Sequence, residues 1–428
     1  MNDYRRNFLK NSAILLATAP LLSLNSAQAA LYNGDDKNGG RVPDSFSSDE
    51  DFWRWIQTTY TVNPNILNLN NGGVSPQPKS VQDAFLHYYQ LCNEGPAYYM
   101  WQVLDKGREG LRSRMVTLCG CSAEEITFNR NTTEALDIVI FGLQLQKGDE
   151  VVLTKQDYPN VMNAWKFREK RDGIKIVWID LDLPNENEDD LVARYEAAFT
   201  SRTKIVNLTH IINWHGQIIP VRRIADKARA RGIESMVDGA HTFAHLDYKI
   251  SDLNCDYFGT SLHKWLCAPF GTGLLYVRKE KIKNLAPLFP NDNPDSEDIR
   301  KYEAQGTRNF ASEQAIGTAI SYHYGIGAKR KEQRLLKLKN YWASELMKND
   351  RIQVKTSLKP QFACGLGLVS IEGMKPGELQ SALMEKHKIF TTPIDYLKIS
   401  GIRVTPHVYT SFEDLDRFID AMNQIAKK

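Results

Sequence analysis

From Glu150 to Val277 the sequence alternates short apolar runs with longer amphipathic ones. Val151-Val-Leu153, Ile174-Lys-Ile-Val-Trp178, Ile205-Val-Asn-Leu208 and Ser235-Met-Val237 read as strands, and Asp189 to Phe199 and Val221 to Arg231 read as helices between them. Such alternation predicts a parallel sheet, because a strand pairs in parallel with its successor only after a crossover, usually a helix. The expected class is α/β, with helices on both faces of the sheet. No internal repeat of about 20 to 50 residues is present, which argues against a solenoid.

Two of these segments end on reactive side chains. Ser235-Met-Val-Asp238-Gly-Ala-His241 carries an apolar run into a carboxylate just before a Gly-Ala turn. Asp256-Tyr-Phe-Gly-Thr-Ser-Leu-His-Lys264-Trp carries another into a polar turn that ends on one lysine, and Ala268-Pro-Phe-Gly-Thr-Gly-Leu-Leu-Tyr-Val277 returns the chain to a further strand. Ligands of open α/β sheets collect at the carboxyl ends of strands, so Asp238 and Lys264 are expected to face one site. A lysine amine attacks a carbonyl only when neutral, which requires desolvation or neighbouring cations such as His263. An aspartate opposite a pyridine nitrogen keeps that nitrogen protonated, because the ion pair favours the charged form. Together they are the partners of pyridoxal phosphate: a Schiff-base lysine and an acid for the ring nitrogen.

Ser261-Leu-His-Lys264 with Asp238-Gly-Ala-His241 resembles the signature of the class V aminotransferases, a family that includes cysteine desulfurases and isopenicillin N epimerase. The resemblance runs from Asn68 to the C-terminus. It implies pyridoxal 5'-phosphate as cofactor and the fold type I transferase architecture. That architecture is a large domain, residues 68–329, with a mostly parallel seven-stranded sheet flanked by helices, and a smaller C-terminal α/β domain, residues 330–428.

Further site residues follow from the resemblance, each beside a plainer reading. Ile126-Thr-Phe-Asn-Arg-Asn131-Thr132-Thr133-Glu134 reads as a strand entering a helix whose apolar side carries Ala135, Leu136, Val139, Ile140 and Leu143. A helix N-terminus flanked by hydroxyls holds phosphate through free amides and the helix dipole; the resemblance assigns that task to Thr132 and Thr133, with helix capping by one threonine as the alternative. It places Tyr158 as a ring stacked on the pyridine, Asn213 and His241 near the phenolic oxygen, and Ser261 and His263 on the phosphate, where the alternative for each is an ordinary core residue. Thr307, in Gly306-Thr307-Arg308, would reach the phosphate of a partner subunit and so implies a homodimer; a helix start is the alternative. Arg403, in Gly401-Ile-Arg403-Val-Thr-Pro-His407, matches the arginine that takes the substrate α-carboxylate through a bidentate fork, against a surface ion pair. Asn71 and Gly72, in Asn68-Leu-Asn-Asn-Gly-Gly73, would let the backbone approach that carboxylate, against a turn before a helix near Pro78. The aromatic run Tyr98-Tyr-Met-Trp101 reads as packing or a dimer contact.

The resemblance implies chemistry at the Cα of an amino acid: transamination, epimerisation or loss of a β-substituent. The Asn-Asn-Gly opening and the Arg-Val-Thr-Pro-His ending lean to the isopenicillin N epimerase-like branch. Desulfurases place a nucleophilic cysteine shortly before the arginine, and from Gly365 to Arg403 there is none, which argues against desulfuration. Two other classes fit the sequence less well. An exported binding protein that has lost catalysis would not need Asp238, Lys264 and Arg403 together. A nucleotide-binding P-loop lacks its Gly-Lys-Ser/Thr ending in Gly259-Thr-Ser-Leu-His-Lys264.

At the N-terminus, Arg5-Arg6-Asn-Phe-Leu-Lys10, an apolar run from Ala13 to Leu24 and Ala27-Gln-Ala29 form an export signal over residues 1–29. The paired arginines resemble a twin-arginine signal, with a plain secretory signal or an uncleaved anchor as the alternative. Folded export suits an enzyme that loads its cofactor first, and the expected location is periplasmic or extracellular. Residues 30–67 are expected to be a linker and N-terminal segment, loose as far as about Ser48. Without residues 1–29 the chain keeps 51 basic and 50 acidic side chains, too balanced for nucleic acid. All six cysteines, spread from Cys92 to Cys364, are read as free thiols. The expected partners are an amino acid substrate, a second copy of the chain and the twin-arginine export machinery, with no nucleic acid and no stable membrane insertion after processing.

Overall fold

The computed structural model describes residues 46–427; the export signal and most of the expected linker lie outside them. Thirteen strands occur among the described residues: β1 (Leu67–Asn68), β2 (Ile126–Asn129), β3 (Glu150–Thr154), β4 (Lys175–Ile179), β5 (Thr203–Thr209), β6 (Glu234–Asp238), β7 (Tyr257–Ser261), β8 (Gly273–Val277), β9 (Ile352–Val354), β10 (Gly367–Ile371), β11 (Ile389–Phe390), β12 (Thr392–Tyr396) and β13 (Ile399–Val404).

Seven of them form one sheet in the order β2-β8-β7-β6-β5-β3-β4. All neighbours are parallel except at β8, which runs against both β2 and β7. The mostly parallel seven-stranded sheet expected from the resemblance is therefore present. Because β8 alone is reversed, the carboxyl ends of the other six strands share one edge.

The helices form where the sequence allows one face to be buried. The helix Val221–Arg229 follows Pro220 and buries Val221, Ile224, Ala225 and Ala228, at the spacing of one helical face. The helix Thr132–Gly142 is apolar nearly all round, and Ala135, Leu136, Ile138, Val139 and Ile140 are all buried. It crosses the sheet so closely that a side chain on Gly259 of β7 would meet Leu136 at 2.8 Å. Separate apolar clusters line the sheet, one built on Val206, Leu208 and Val237 and the other on Val151, Leu153 and Met236.

A second, four-stranded antiparallel sheet, β12-β13-β10-β9, packs with the helices Ala328–Leu346, Pro376–His387 and Phe412–Ala426 around its own core. The chain's N-terminal stretch contributes to that core: β1 pairs in parallel with β11, and Leu67 and Leu69 are buried there.

The segment before β1 contains a helix, Asp49–Thr58, capped by Ser48 and buried through Phe52, Trp53 and Ile56 against Trp265 and Tyr322. The apolar run from Phe362 to Ile371 is a strand only from Gly367. Its first half lies against the large sheet's unit, where the Ile218 amide donates to the Phe362 carbonyl and the Gly365 amide to His245 Nε2 at 2.9 Å. No helix among the described residues is long and apolar enough to cross a membrane.

Candidate active site

The shared strand edge opens on a cavity of about 280 Å³. Asp238 ends β6; Ser261 ends β7, and His263 and Lys264 follow it; Asn213 follows β5, Tyr158 follows β3, and Thr132 and Thr133 follow β2. Arg403 enters from β13 of the smaller sheet, and Gly72 and Gly73 from the turn after β1. All these residues line the one cavity.

Lys264 Nζ lies 3.4 Å from His241 Nε2, and its accessible surface opens on the cavity. Burial pulls its pKa down to about 8; Asp238 opposes that shift and Arg403 adds to it. His241 is held well below its ordinary value by burial and by the neighbouring Lys264 and Arg403, so its ring is neutral. Burial raises the Asp238 carboxyl, against the Ala240 amide it accepts at 2.9 Å and against Lys264. Both members of the Asp238–Lys264 pair are thus pushed toward their neutral forms. A cation placed beside Asp238 would restore its charge.

The N-terminus of the helix Thr132–Gly142 borders the same space, with Asn131, Thr132 and Thr133 on the cavity wall. Asn131, not a threonine, caps that helix by accepting from the Glu134 amide at 2.9 Å. The Thr132 hydroxyl is instead 2.8 Å from Ser261 Oγ, which also accepts the Thr132 amide at 2.9 Å. His263 is fixed by its Nδ1, 3.0 Å from the Thr272 carbonyl. Hydroxyls, a histidine and a helix N-terminus around one spot form an anion site.

Arg403 is 7 % exposed, and among the described residues no carboxylate pairs with it, so it is not a surface ion pair. Its Nη1 donates to the Asn213 carbonyl at 3.1 Å and its Nη2 to Asn70 Oδ1 at 2.8 Å. Burial lowers its pKa to about 10. A guanidinium in this setting calls for an anion from outside.

Two expected residues stand apart. Asn71 is buried but does not line the cavity: its amide donates to the Asn68 and Thr405 carbonyls and accepts from the Tyr409 hydroxyl at 2.7 Å, so it ties the turn to the smaller unit. Thr307 lines an adjoining cavity of about 620 Å³ that shares Asn131 with the first. Asn131 and Thr209 also line the cavity and Asn70 holds Arg403, roles that were not among the sequence expectations. A helix N-cap signal was available for Asn131; nothing local distinguishes Asn70 from its neighbours.

The chain belongs to the class V aminotransferase family, whose model matches residues 67–418. Isopenicillin N epimerase from Amycolatopsis lactamdurans is 26% identical over 397 residues, covering 88% of this chain and 99% of that protein. A cysteine desulfurase from Haloferax volcanii is 27% identical over 390 residues, covering 84% and 89%. Among solved structures, the apo cysteine desulfurase from Thermococcus onnurineus NA1 superposes with a TM-score of 0.77 at 23% identity, over 90% of this chain and 99% of that one. The cystine C-S lyase C-DES, in complex with its reaction product cysteine persulfide, gives 0.76 at 21% identity, over 83% and 97%. Curated relatives carry both the epimerase and the desulfurase names, so the comparisons do not separate those reactions.

Pyridoxal 5'-phosphate is the cofactor, and the residues present fit it. The buried Asn213 Oδ1, His241 Nδ1 and Arg403 Nε have no partner among the described residues, and a polar occupant would satisfy them. The hydroxyl-ringed helix end suits its phosphate, Asp238 its ring nitrogen and Lys264 its aldehyde.

Proposed function

We propose that this protein acts at the Cα of an α-amino acid, as an aminotransferase or epimerase of the isopenicillin N epimerase-like branch. The observation that carries the reading is one cavity holding a lysine with its pKa lowered to about 8 and a buried arginine with no carboxylate partner among the described residues. The first is an amine ready for a carbonyl, the second a receptor for a carboxylate.

When bound, the cofactor supplies a carbonyl carbon for the amino group and an electron sink for the pair left at Cα. Arg403 binds the α-carboxylate and so fixes which Cα bond faces Lys264. Lys264 Nζ, neutral above about pH 8, takes the Cα proton as general base. Asp238 holds a proton at the ring nitrogen, and Tyr158, Asn213 and His241 orient the ring. Return of the proton to Cα from the other face would give epimerisation; a Lys264 that carried it away from Cα for good would give transamination.

Desulfuration and other β-eliminations compete with this reading through the desulfurase relatives. None of the six cysteines lines the cavity, and Cys267, three residues after Lys264, is turned instead toward Tyr60 and His407. That placement favours chemistry without a cysteine relay. The reading also includes a homodimer, with Thr307 serving the partner's site, and export by the twin-arginine route. The exposed Phe270 and Phe289 beside Thr307 are consistent with the first, and the pairing of Arg5 and Arg6 with the absence of disulfides supports the second.

The test is the visible spectrum of the purified protein before and after borohydride, with peptide mapping of the reduced cofactor and a screen of D- and L-amino acids for racemisation, oxo-acid and sulfide. A visible band lost on reduction, cofactor fixed to Lys264, and oxo-acid or racemised product support the proposal. Sulfide release alone replaces it with a lyase, and a protein that takes up no cofactor sinks it.

A further inference from the structure

The hold on Arg403 is made entirely of uncharged oxygens. Its two terminal nitrogens donate to the Asn70 side-chain oxygen and the Asn213 carbonyl, and its Nε has no acceptor among the described residues. A buried arginine ordinarily rests on a carboxylate, which cancels its charge. Here the plane of the guanidinium is fixed while its full charge stays available on the cavity side.

Asn70 is itself held in place. Its amide donates to Asn68 Oδ1 at 3.0 Å, and its carbonyl accepts from the Gly73 amide at 3.3 Å. An isolated parallel bridge joins it to Thr405, two residues beyond Arg403, whose hydroxyl accepts the Gly72 amide at 3.0 Å. The turn that brings Gly72 and Gly73 to the cavity wall is therefore the same turn that aims the Asn70 side chain at Arg403.

We propose that Asn70 is a positioning and specificity residue, whose side-chain amide orients Arg403 and whose lack of charge reserves that arginine for a substrate carboxylate. This rests on the reading of the cavity as an amino acid site. Aspartate has the size of asparagine, so Asn70→Asp would place a carboxylate where the Oδ1 now lies, 2.8 Å from Nη2. The arginine would then be satisfied from within, and an incoming carboxylate would have to displace a tethered one. A purely structural Asn70 would affect the acids and the analogues that lack the carboxylate charge alike.

The experiment titrates the holoenzyme with glycine, L-alanine and D-alanine and with their primary amides, following the visible band for Kd and turnover for kcat and KM. Asn70→Asp is expected to weaken the amino acids about 30-fold with kcat nearly unchanged, while the amides shift less than about threefold. Asn70→Ala removes the hold without adding a charge. It is expected to weaken the acids about fivefold, again more than the amides, and keeps the test open should Asn70→Asp fail to load cofactor. Equal weakening of acids and amides in either folded variant, or unchanged acid binding in both, overturns the inference. A wild-type holoenzyme that responds to no amino acid in the wider screen fails the proposed function instead, and the inference with it.

Discussion

Lys264 and Lys339 are two lysines that burial drives to the same pKa of about 8, one in each unit of the fold. Lys339 lies on the helix Ala328–Leu346, fully buried, and its Nζ donates to the Ser357 carbonyl at 2.6 Å. Lys264 follows the end of β7 with a neutral imidazole 3.4 Å away, and it lines the cavity. Desolvation makes an amine neutral near physiological pH in either place. What sets Lys264 apart is the cavity it lines together with Asp238 and Arg403. A lowered pKa marks a candidate, and geometry decides between candidates.

Exchanging the two lysines breaks the comparison most severely. Lys264→Ala is expected to lower kcat/KM by about 10⁴-fold while leaving the thermal transition of the cofactor-free protein near that of wild type. The check is turnover of the best amino acid together with a melting curve. If Lys339→Met caused a comparable loss of turnover in a folded protein, the cavity would be in the wrong place.

A titration sharpens the same contrast by a smaller factor. The rate at which cofactor-free protein takes up pyridoxal phosphate is expected to rise about tenfold per pH unit up to about 8 and then level off, because only neutral Lys264 reacts. A lysine at its ordinary value would keep the rate climbing to about 10.5. Lys339→Met should leave this profile unmoved.

Much of this was legible because it rests on local signals. The apolar runs of β5, β6 and β7 are nearly all buried, so their reading as strands held to within a few residues, and Asp238 and Lys264 stand at the strand ends where they were expected. The helix Asp49–Thr58 was not expected, although Ser48-Asp-Glu-Asp51 ahead of Phe52, Trp53 and Ile56 is a capping pattern. Other features depend on distant parts of the chain. Whether Asn70 or Asn71 faces the arginine is set by the bridge to Thr405, more than 300 residues away, and a turn has no periodicity from which to read it. The break in the Phe362–Ile371 run has the same origin: Gly216 has a φ of +79°, and a side chain there would meet the Leu366 carbonyl at 2.2 Å, so the two segments meet backbone to backbone.

The smallest expected effect tests whether Lys339 is only structural. Replacing its amine by the thioether of Lys339→Met leaves the Ser357 carbonyl without its donor, a loss of about 1 kcal/mol at neutral pH, partly offset by ending the cost of burying the amine. The offset depends on pH in a definite direction. Both lysines hold their proton to about 10.5 when the chain is unfolded and release it from about 8 when folded, so the unfolded chain binds more protons between those values. The cofactor-free fold therefore gains stability as pH rises from about 8 to 10.5, and Lys339→Met should remove one lysine's share of that gain. Denaturant titrations at pH 7 and pH 10 measure it: a variant whose pH 7 to pH 10 difference equals that of wild type would show that Lys339 keeps its charge, and that the likeness between the two lysines is one of burial alone.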